Sequence, residues 1–152
     1  MNFFGATSAD KVISTMEAAA WNYDIEHVIL DNLQFMIGSS TGQQKFMNRF
    51  DIQDDALGKF RSFCTKHNVH MTLVIHPRKE SEAESLTTDS IFGTAKATQE
   101  ADNLLLLQKK QDGSKYIDVK KNRFSGDTGS IKIAFHKPSR CFSEATSTKT
   151  KS

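Results

Sequence analysis

HVILDNLQFMIG, residues His27–Gly38, contains three consecutive apolar residues that lead directly into an acid, Asp31. An uninterrupted apolar centre is typical of a strand covered on both faces, as in parallel sheets, so residues 26–31 are predicted to form a buried strand. A carboxylate at its end either closes the strand as an ordinary turn residue or holds a metal ion beside a phosphate. The stretch alone leaves both interpretations open.

Composition indicates one globular domain. The chain has 152 residues, of which 38% are hydrophobic and eleven are Phe, enough to form a core. The formal net charge of +2 says little about partners, although residues 109–123 hold a basic cluster that suits either phosphates or a solvated face. The two cysteines suggest no disulfide framework, so a reducing compartment is expected.

Neither a membrane segment nor a targeting signal is predicted. No apolar run approaches the roughly 20 residues that a membrane helix needs. The first ten residues have neither the pattern of a secretory signal nor that of an Arg-rich transit peptide.

The order of the predicted elements indicates an α/β sandwich with a largely parallel sheet. A helix over residues 7–24 precedes the first strand, and a helix over 51–66 precedes a second buried strand, 70–76. A short helix follows Gly93 and leads to NLLLLQK, which is predicted to be a third buried strand of this sheet. Its QDGS turn returns the chain as KYIDVKK and makes a β-hairpin before the last strand, IKIAFH. Residues 1–142 are predicted to form one domain, and 143–152 a disordered Ser/Thr/Lys-rich tail.

Candidate functional residues lie where the predicted parallel strands end. Ligands bind beyond the carboxyl ends of such strands, so Asp31 and His76 are predicted to face one crevice. A histidine there either bonds a phosphate or is an ordinary strand-end residue. Arg78 and Lys79 follow on a polar loop, which either contacts a nucleic-acid backbone or is simply solvated.

Two further patterns suggest ligand binding; the first remains open, and the second is rejected. Alternation of side chains along a strand predicts that Lys121 and Arg123 point the same way and deliver two cations to a phosphate, although a basic edge strand that discourages aggregation explains them equally. A C-x-x-H-x-x-H pattern at Cys64, His67 and His70 suggests zinc. We reject the zinc interpretation because these residues straddle a helix end and a strand start and lack a fourth ligand.

The sequence has no G-x-x-x-x-G-K-[ST] phosphate-binding loop, no nucleophile elbow and no cysteine-nucleophile signature. A self-sufficient hydrolase is therefore not visible in these 152 residues.

Four segments, taken in order, resemble the C-terminal half of the mitochondrial members of the DnaB-like replicative helicase family, which also includes phage helicase–primases. They are HVILDNLQFMIG, LVIHPRKE, SIFGTAKATQEADNLLLLQ and VKKNRFSGDTG. The resemblance covers about residues 3–136. It implies a RecA-like three-layer motor domain, a hexameric or heptameric ring, and ATP with Mg²⁺. It also implies single-stranded DNA in the central channel and a place in the mitochondrial matrix or nucleoid with the mitochondrial replication machinery.

The resemblance assigns a role to each motif residue. Asp31 matches the Walker B acid, which holds Mg²⁺ through water, and His76 matches the histidine that senses the γ-phosphate. Arg78 and Lys79 fall in the DNA-binding loop of the channel.

The later motifs also receive roles from the resemblance. Gly93 begins a segment that contacts DNA, and Gln99, at its end, couples nucleotide state to that contact. Lys121 and Arg123 reach the neighbouring subunit's ATP, with Arg123 as the arginine finger. Phe135 lies where relatives place an aromatic ring against the nucleotide base.

The missing phosphate-binding loop makes a fragment the expectation, with an incomplete sheet, marginal stability and an unpaired edge. Two alternatives remain. One is a non-enzymatic interaction protein or inhibitor that docks on complete helicase subunits, and the other is a different RecA-like ATPase such as a recombinase.

Overall fold

The computed structural model describes residues 7–33, 49–76, 86 and 95–145. It divides into two compact units, and the assignment of residues 1–142 to one domain stays a prediction. The first unit holds α1 (Ala9–Tyr23), β1 (His27–Asp31), α2 (Arg49–His67), β2 (His70–Val74) and α3 (Ala95–Glu100). The second holds β3 (Asn103–Lys109), β4 (Lys115–Asn122), β5 (Gly129–His136), β6 (Cys141–Glu144) and Leu86. None of the described helices is long and apolar enough to cross a membrane.

Helix α1 begins after Ser8, whose hydroxyl accepts a hydrogen bond from the Lys11 amide at 3.3 Å. The sequence predicted a helix from residue 7, two residues before its observed start at Ala9. The helix ends where Asp24 turns left-handed, at φ 52°, and its amide donates to the Ala20 carbonyl. One apolar face of α1 packs on α2, whose buried stripe is the predicted one: Ala56, Leu57, Phe60 and Phe63.

Strands β1 and β2 form a parallel pair in continuous register, from His27 opposite His70 to Asp31 opposite Val74. The prediction that β1 is covered on both faces is wrong, since Ile29 is 69% exposed. Burial along β1 alternates instead, so one face of the pair is better covered than the other. The parallel pairing itself is as predicted.

The second unit is an antiparallel sheet in the order β3-β4-β5-β6. The predicted hairpin joins β3 and β4 through a turn that Gly113 permits with φ 83°. The sequence placed β3 in the parallel sheet, but its described pairing is with β4 alone. Strand β6 includes Ser143 and Glu144, which the sequence assigned to a tail, whereas residues 146–152 lie outside the described part of the chain.

A one-residue bulge interrupts the β3–β4 ladder. Leu105 pairs with Val119 but Leu104 pairs with Lys121, so Lys120 has no cross-strand partner. The bulge shifts the register of everything beyond it by one residue, including the turn that carries Arg123.

The two faces of strand β3 differ sharply in burial. Leu104 and Leu106 of β3 are buried, whereas Leu105 and Leu107 are 60% and 56% exposed. Residues directly opposite each other in an antiparallel pair share a face. The face that carries Leu105 and Leu107 therefore continues across the sheet, and its aliphatic members are Leu105, Leu107, Ile117, Val119, Ile131 and Ile133, of which Ile117, Val119 and Ile133 are half-buried.

The buried face carries a polar network centred on Asp118. The carboxylate accepts hydrogen bonds from the Ser130 hydroxyl at 3.0 Å and the Gln108 amide at 3.4 Å, and it pairs with Lys120 at 2.7 Å. The Lys120 ammonium, with help from Ser130, holds the pKa of Asp118 below its ordinary value. Gln108 in turn accepts from the Leu86 amide at 2.8 Å, which fixes that residue to the sheet.

The contrast between the two faces predicts opposite results for adjacent leucines. Leu106→Ala should lower the free energy of unfolding by about 2–5 kcal/mol, because it removes buried atoms and leaves a cavity. Leu107→Ala, on the exposed face, should change it by less than about 1 kcal/mol. Urea unfolding followed by circular dichroism measures both. Equal losses would show that the exposed face is covered in solution.

Candidate functional site

Asp31 and His76 lie at the same edge of the parallel pair. Asp31 is the last residue of β1, opposite Val74, the last residue of β2. His76 follows Val74 by two residues, and both Asp31 and His76 are exposed. The peptide bond from Asp31 to Asn32 is cis, and Leu33 is fully buried. The burial of Leu33 anchors the chain as it leaves the strand.

This edge suits a hard cation that is held mostly by water molecules and by a bound small molecule. An exposed carboxylate at a rigid strand end offers oxygen donors, and Mg²⁺ is bound through one or two carboxylates while it keeps several waters. Within the described ranges, no group of three or more His, Cys, Asp and Glu residues could hold a metal ion. Asp31 therefore fits water-mediated Mg²⁺ binding better than it fits an all-protein cage.

The three residues of the rejected zinc pattern contact different partners. His67 lies 3.3 Å from the Glu17 carboxylate, whereas His70 lies against His27. Cys64 lies on α2 and forms no disulfide, and its carbonyl accepts a hydrogen bond from the Val69 amide.

Gln99 is an exposed residue of α3, the short helix that packs on α2 in the unit that contains Asp31. The other residues of the predicted DNA-contacting segments, Arg78, Lys79 and Gly93, lie outside the described residues. Their predicted roles remain predictions.

Arg123 is held at the start of a turn rather than in a strand. Strand β4 ends at Asn122, so the expectation that Lys121 and Arg123 alternate within one strand is wrong. The Arg123 amide donates to the Asp102 carbonyl at 2.9 Å, and its Nη1 lies 3.2 Å from Asp102 Oδ1. The Arg123 side chain remains 56% exposed, so its guanidinium is accessible to a further anion.

The sequence analysis missed Asp102, and the bulge explains why. The QDGS turn pairs Lys109 with Lys115, and an unbroken register would place Asp102 opposite Asn122. The extra residue at Lys120 moves the pairing by one and brings Arg123 to Asp102 instead. No composition signal marks this bulge.

Phe135 forms part of an aromatic pair on β5 and β6. Its ring centroid lies 4.8 Å from that of Phe142, and Lys115 Nζ lies 5.0 Å from the Phe135 centroid. Phe135 keeps 37% of its surface exposed. A planar ring beside a cation can stack on a base, and Lys115 and Phe142 would share that contact. Neither was predicted from the sequence, because no strand was expected at β6.

Phe135 and Arg123 lie at opposite ends of the sheet. Lys115 begins β4 and Lys121 lies next to its other end, and the six residue steps between them span about 20 Å. The aromatic pair adjoins the Lys115 end. Arg123 and Phe135 therefore lie too far apart for one small group to touch both.

A groove of about 500 Å³ between α1 and α2 is lined largely by charged residues. Lys59 contacts Asp10 at 2.7 Å and Asp55 at 2.9 Å, and these carboxylates raise the pKa of Lys59. Lys66 pairs with Glu17 at 3.1 Å. Lys59 and Lys66 are thus paired with carboxylates of the same groove, which is the arrangement of a solvated helix interface.

Two solved protein structures share this architecture. A solved DnaB-like replicative helicase, described with its interactions with primase, superposes with a TM-score of 0.70 at 15% identity, over 90% of this chain and 35% of that chain. A KaiC-like protein from the hyperthermophilic archaeon Pyrococcus horikoshii OT3 superposes with a TM-score of 0.63 at 12% identity, over 91% of this chain and 57% of that chain. The predicted RecA-like α/β fold is confirmed.

The AAA domain family matches residues 1–82, more than half of the chain, and includes both β1 and β2. The chain belongs to the AAA domain family. It spans about a third of the helicase chain and somewhat more than half of the KaiC-like chain that it resembles.

The contact between Arg123 and Asp102 predicts a small structural role for the pair. Asp102→Ala should lower the free energy of unfolding by less than about 1 kcal/mol, because both side chains are about half exposed. It should also increase the side-chain mobility of Arg123, measured by ¹⁵Nε relaxation. Asp127→Ala, an exposed acid in the same loop, is the control. A loss above 2 kcal/mol or unchanged mobility would contradict the assignment.

Proposed function

We propose that this chain forms the C-terminal part of the motor domain of an ATP-dependent, ring-shaped replicative DNA helicase of the DnaB-like family. Family membership in the AAA domains and the RecA-like fold support an ATPase-related motor. The observation that carries the proposal is the parallel β1–β2 pair, which ends with Asp31 and His76 at one edge.

In this proposal Asp31 holds Mg²⁺ through water, and the ion neutralises charge on the phosphate oxygens of ATP. His76, at the adjacent strand end, contacts the γ-phosphate or its water and responds to its presence. Gln99 on α3 passes that state to the DNA-contacting segments, which contain Arg78, Lys79 and Gly93.

The second unit serves a different nucleotide contact. Arg123 reaches the ATP of a neighbouring subunit with Lys121 and stabilises charge that develops during phosphoryl transfer. Phe135 stacks on a base at the far end of the same sheet. The separation of about 20 Å along β4 supports two contacts rather than one.

The finer assignment is to Twinkle, the mitochondrial replicative helicase. It rests on the four ordered motifs quoted above. It implies a hexameric or heptameric ring around single-stranded DNA, in the mitochondrial nucleoid with the replication machinery.

A non-enzymatic role is the second candidate. The exposed aliphatic face of β3–β5 is a surface that could dock on complete helicase subunits. In that case Arg123 would act only on the ATP of another protein, as an inhibitor or accessory element.

The 152-residue chain by itself should hydrolyse no ATP, because its sequence holds no phosphate-binding loop. Phosphate release with Mg²⁺ by the purified chain should equal that of Asp31→Asn. Turnover that the purified chain supports and Asp31→Asn abolishes would show that the chain carries a complete site. Such a result would overturn the proposal that this chain carries only part of the ATP site.

In the longer protein, Arg123→Ala should lower ATP hydrolysis by at least about 10³-fold while ATP still binds, as expected for an arginine finger. Arg123→Lys should recover little, because lysine lacks the planar donor fork. Lys137→Ala, which removes an exposed cation in the turn after β5, is the matched control. Near-normal ATP hydrolysis by the Arg123→Ala variant would show that Arg123 is not an arginine finger.

A further inference from the structure

His27 and His70 form a pair that the proposed function does not use. They begin β1 and β2, they are partners in the parallel register, and both are exposed. Their Nδ1 atoms lie 3.0 Å apart, with ring centroids 4.5 Å apart and planes at 68°. Two imidazole nitrogens at this distance share one proton, because two lone pairs or two N–H groups would repel.

Thr72 fixes the orientation of the first ring. His27 Nε2 lies 3.1 Å from Thr72 Oγ1. When Nε2–H donates to that hydroxyl, the lone pair of the His27 ring is on Nδ1, which faces His70. A second hydrogen bond of this kind is how proteins orient metal-binding histidines.

The nitrogen spacing also fits a shared metal ion. Bonds from imidazole to a metal are about 2.0–2.1 Å long, so nitrogens 3.0 Å apart meet one ion at an angle of about 90–95°. That angle belongs to adjacent ligands of square-planar or octahedral ions. A tetrahedral ion would require the nitrogens to be about 3.3 Å apart with the same bond lengths.

We propose that His27 and His70 form a two-histidine site for a divalent transition-metal ion, Ni²⁺ or Cu²⁺. The ion takes the place of the proton that the two Nδ1 atoms share, and that proton moves through water to His70 Nε2, which leaves both Nδ1 lone pairs for the ion. Imidazole nitrogens suit both ions, and both ions accept right-angled coordination. Water completes the coordination shell of the ion, because among the described residues no third His, Cys, Asp or Glu joins the pair.

The site is distinct from the edge that holds Asp31. His27 and Asp31 are the two ends of β1, about 13 Å apart at the usual rise per strand residue. A metal on the histidine pair joins β1 to β2 at their amino ends, because each strand supplies one ligand. Binding therefore stabilises the strand pairing on which the opposite edge depends.

The experiment titrates the full chain, with Cys141→Ser to remove its exposed thiol, with NiCl₂ by calorimetry. One ion should bind per chain. His27→Ala and His70→Ala should each weaken binding at least tenfold, and Thr72→Val should weaken it less. His136→Ala is the matched control, because it removes an exposed imidazole that bonds Ser139 instead of a second histidine. Its affinity should be unchanged.

Electron paramagnetic resonance with CuCl₂ gives an independent readout. The parent chain should show two equatorial nitrogen ligands, and each single histidine variant should show one. Circular dichroism checks that the variants fold, and a double His27→Gln, His70→Gln variant should bind no ion while keeping polar side chains. Equal affinities in all variants, or a one-nitrogen parent spectrum, would reduce the pair to a hydrogen-bonded contact and overturn the proposal.

Discussion

The parallel pairing of β1 with β2 is the constraint on which the first unit depends. Its register aligns the amino ends at His27 and His70 and the carboxyl ends at Asp31 and Val74. Strand polarity alone therefore separates the imidazole pair from the acidic edge. A slip of one residue would turn every side chain of β1 to the other face and destroy both arrangements.

Much of the first unit follows from local sequence pattern. The apolar runs before Asp31 and His76 and the stripe Ala56 to Phe63 were sufficient to place two strands and a helix. Their adjacency followed from the rule that strand–helix–strand connections are parallel. The exposure of Ile29 did not follow, because an apolar run reports what a strand can bury and not what covers it.

The second unit shows where such reasoning ends. The turn around Gly113 predicted the β3–β4 hairpin, yet the apolar run 104–107 suggested a doubly covered parallel strand. In the structure its burial alternates, with every second leucine exposed. The roles of Asp31, His76 and Arg123 came from motif resemblance. The contacts Asp102–Arg123, Phe135–Phe142 and His27–His70 came only from three-dimensional pairing.

The bulge at Lys120 makes the position of Arg123 depend on chain length rather than on any one side chain. Substitutions between Lys115 and Asn122 leave the residue count unchanged, so they preserve the offset that brings Arg123 to Asp102. Deletion of a single residue in that interval would remove the bulge and leave a regular ladder in which Arg123 still lies opposite Asp102, whereas an insertion would require a larger bulge or move Arg123 past Asp102. This strand should therefore vary freely in composition during evolution and tolerate a one-residue deletion better than an insertion.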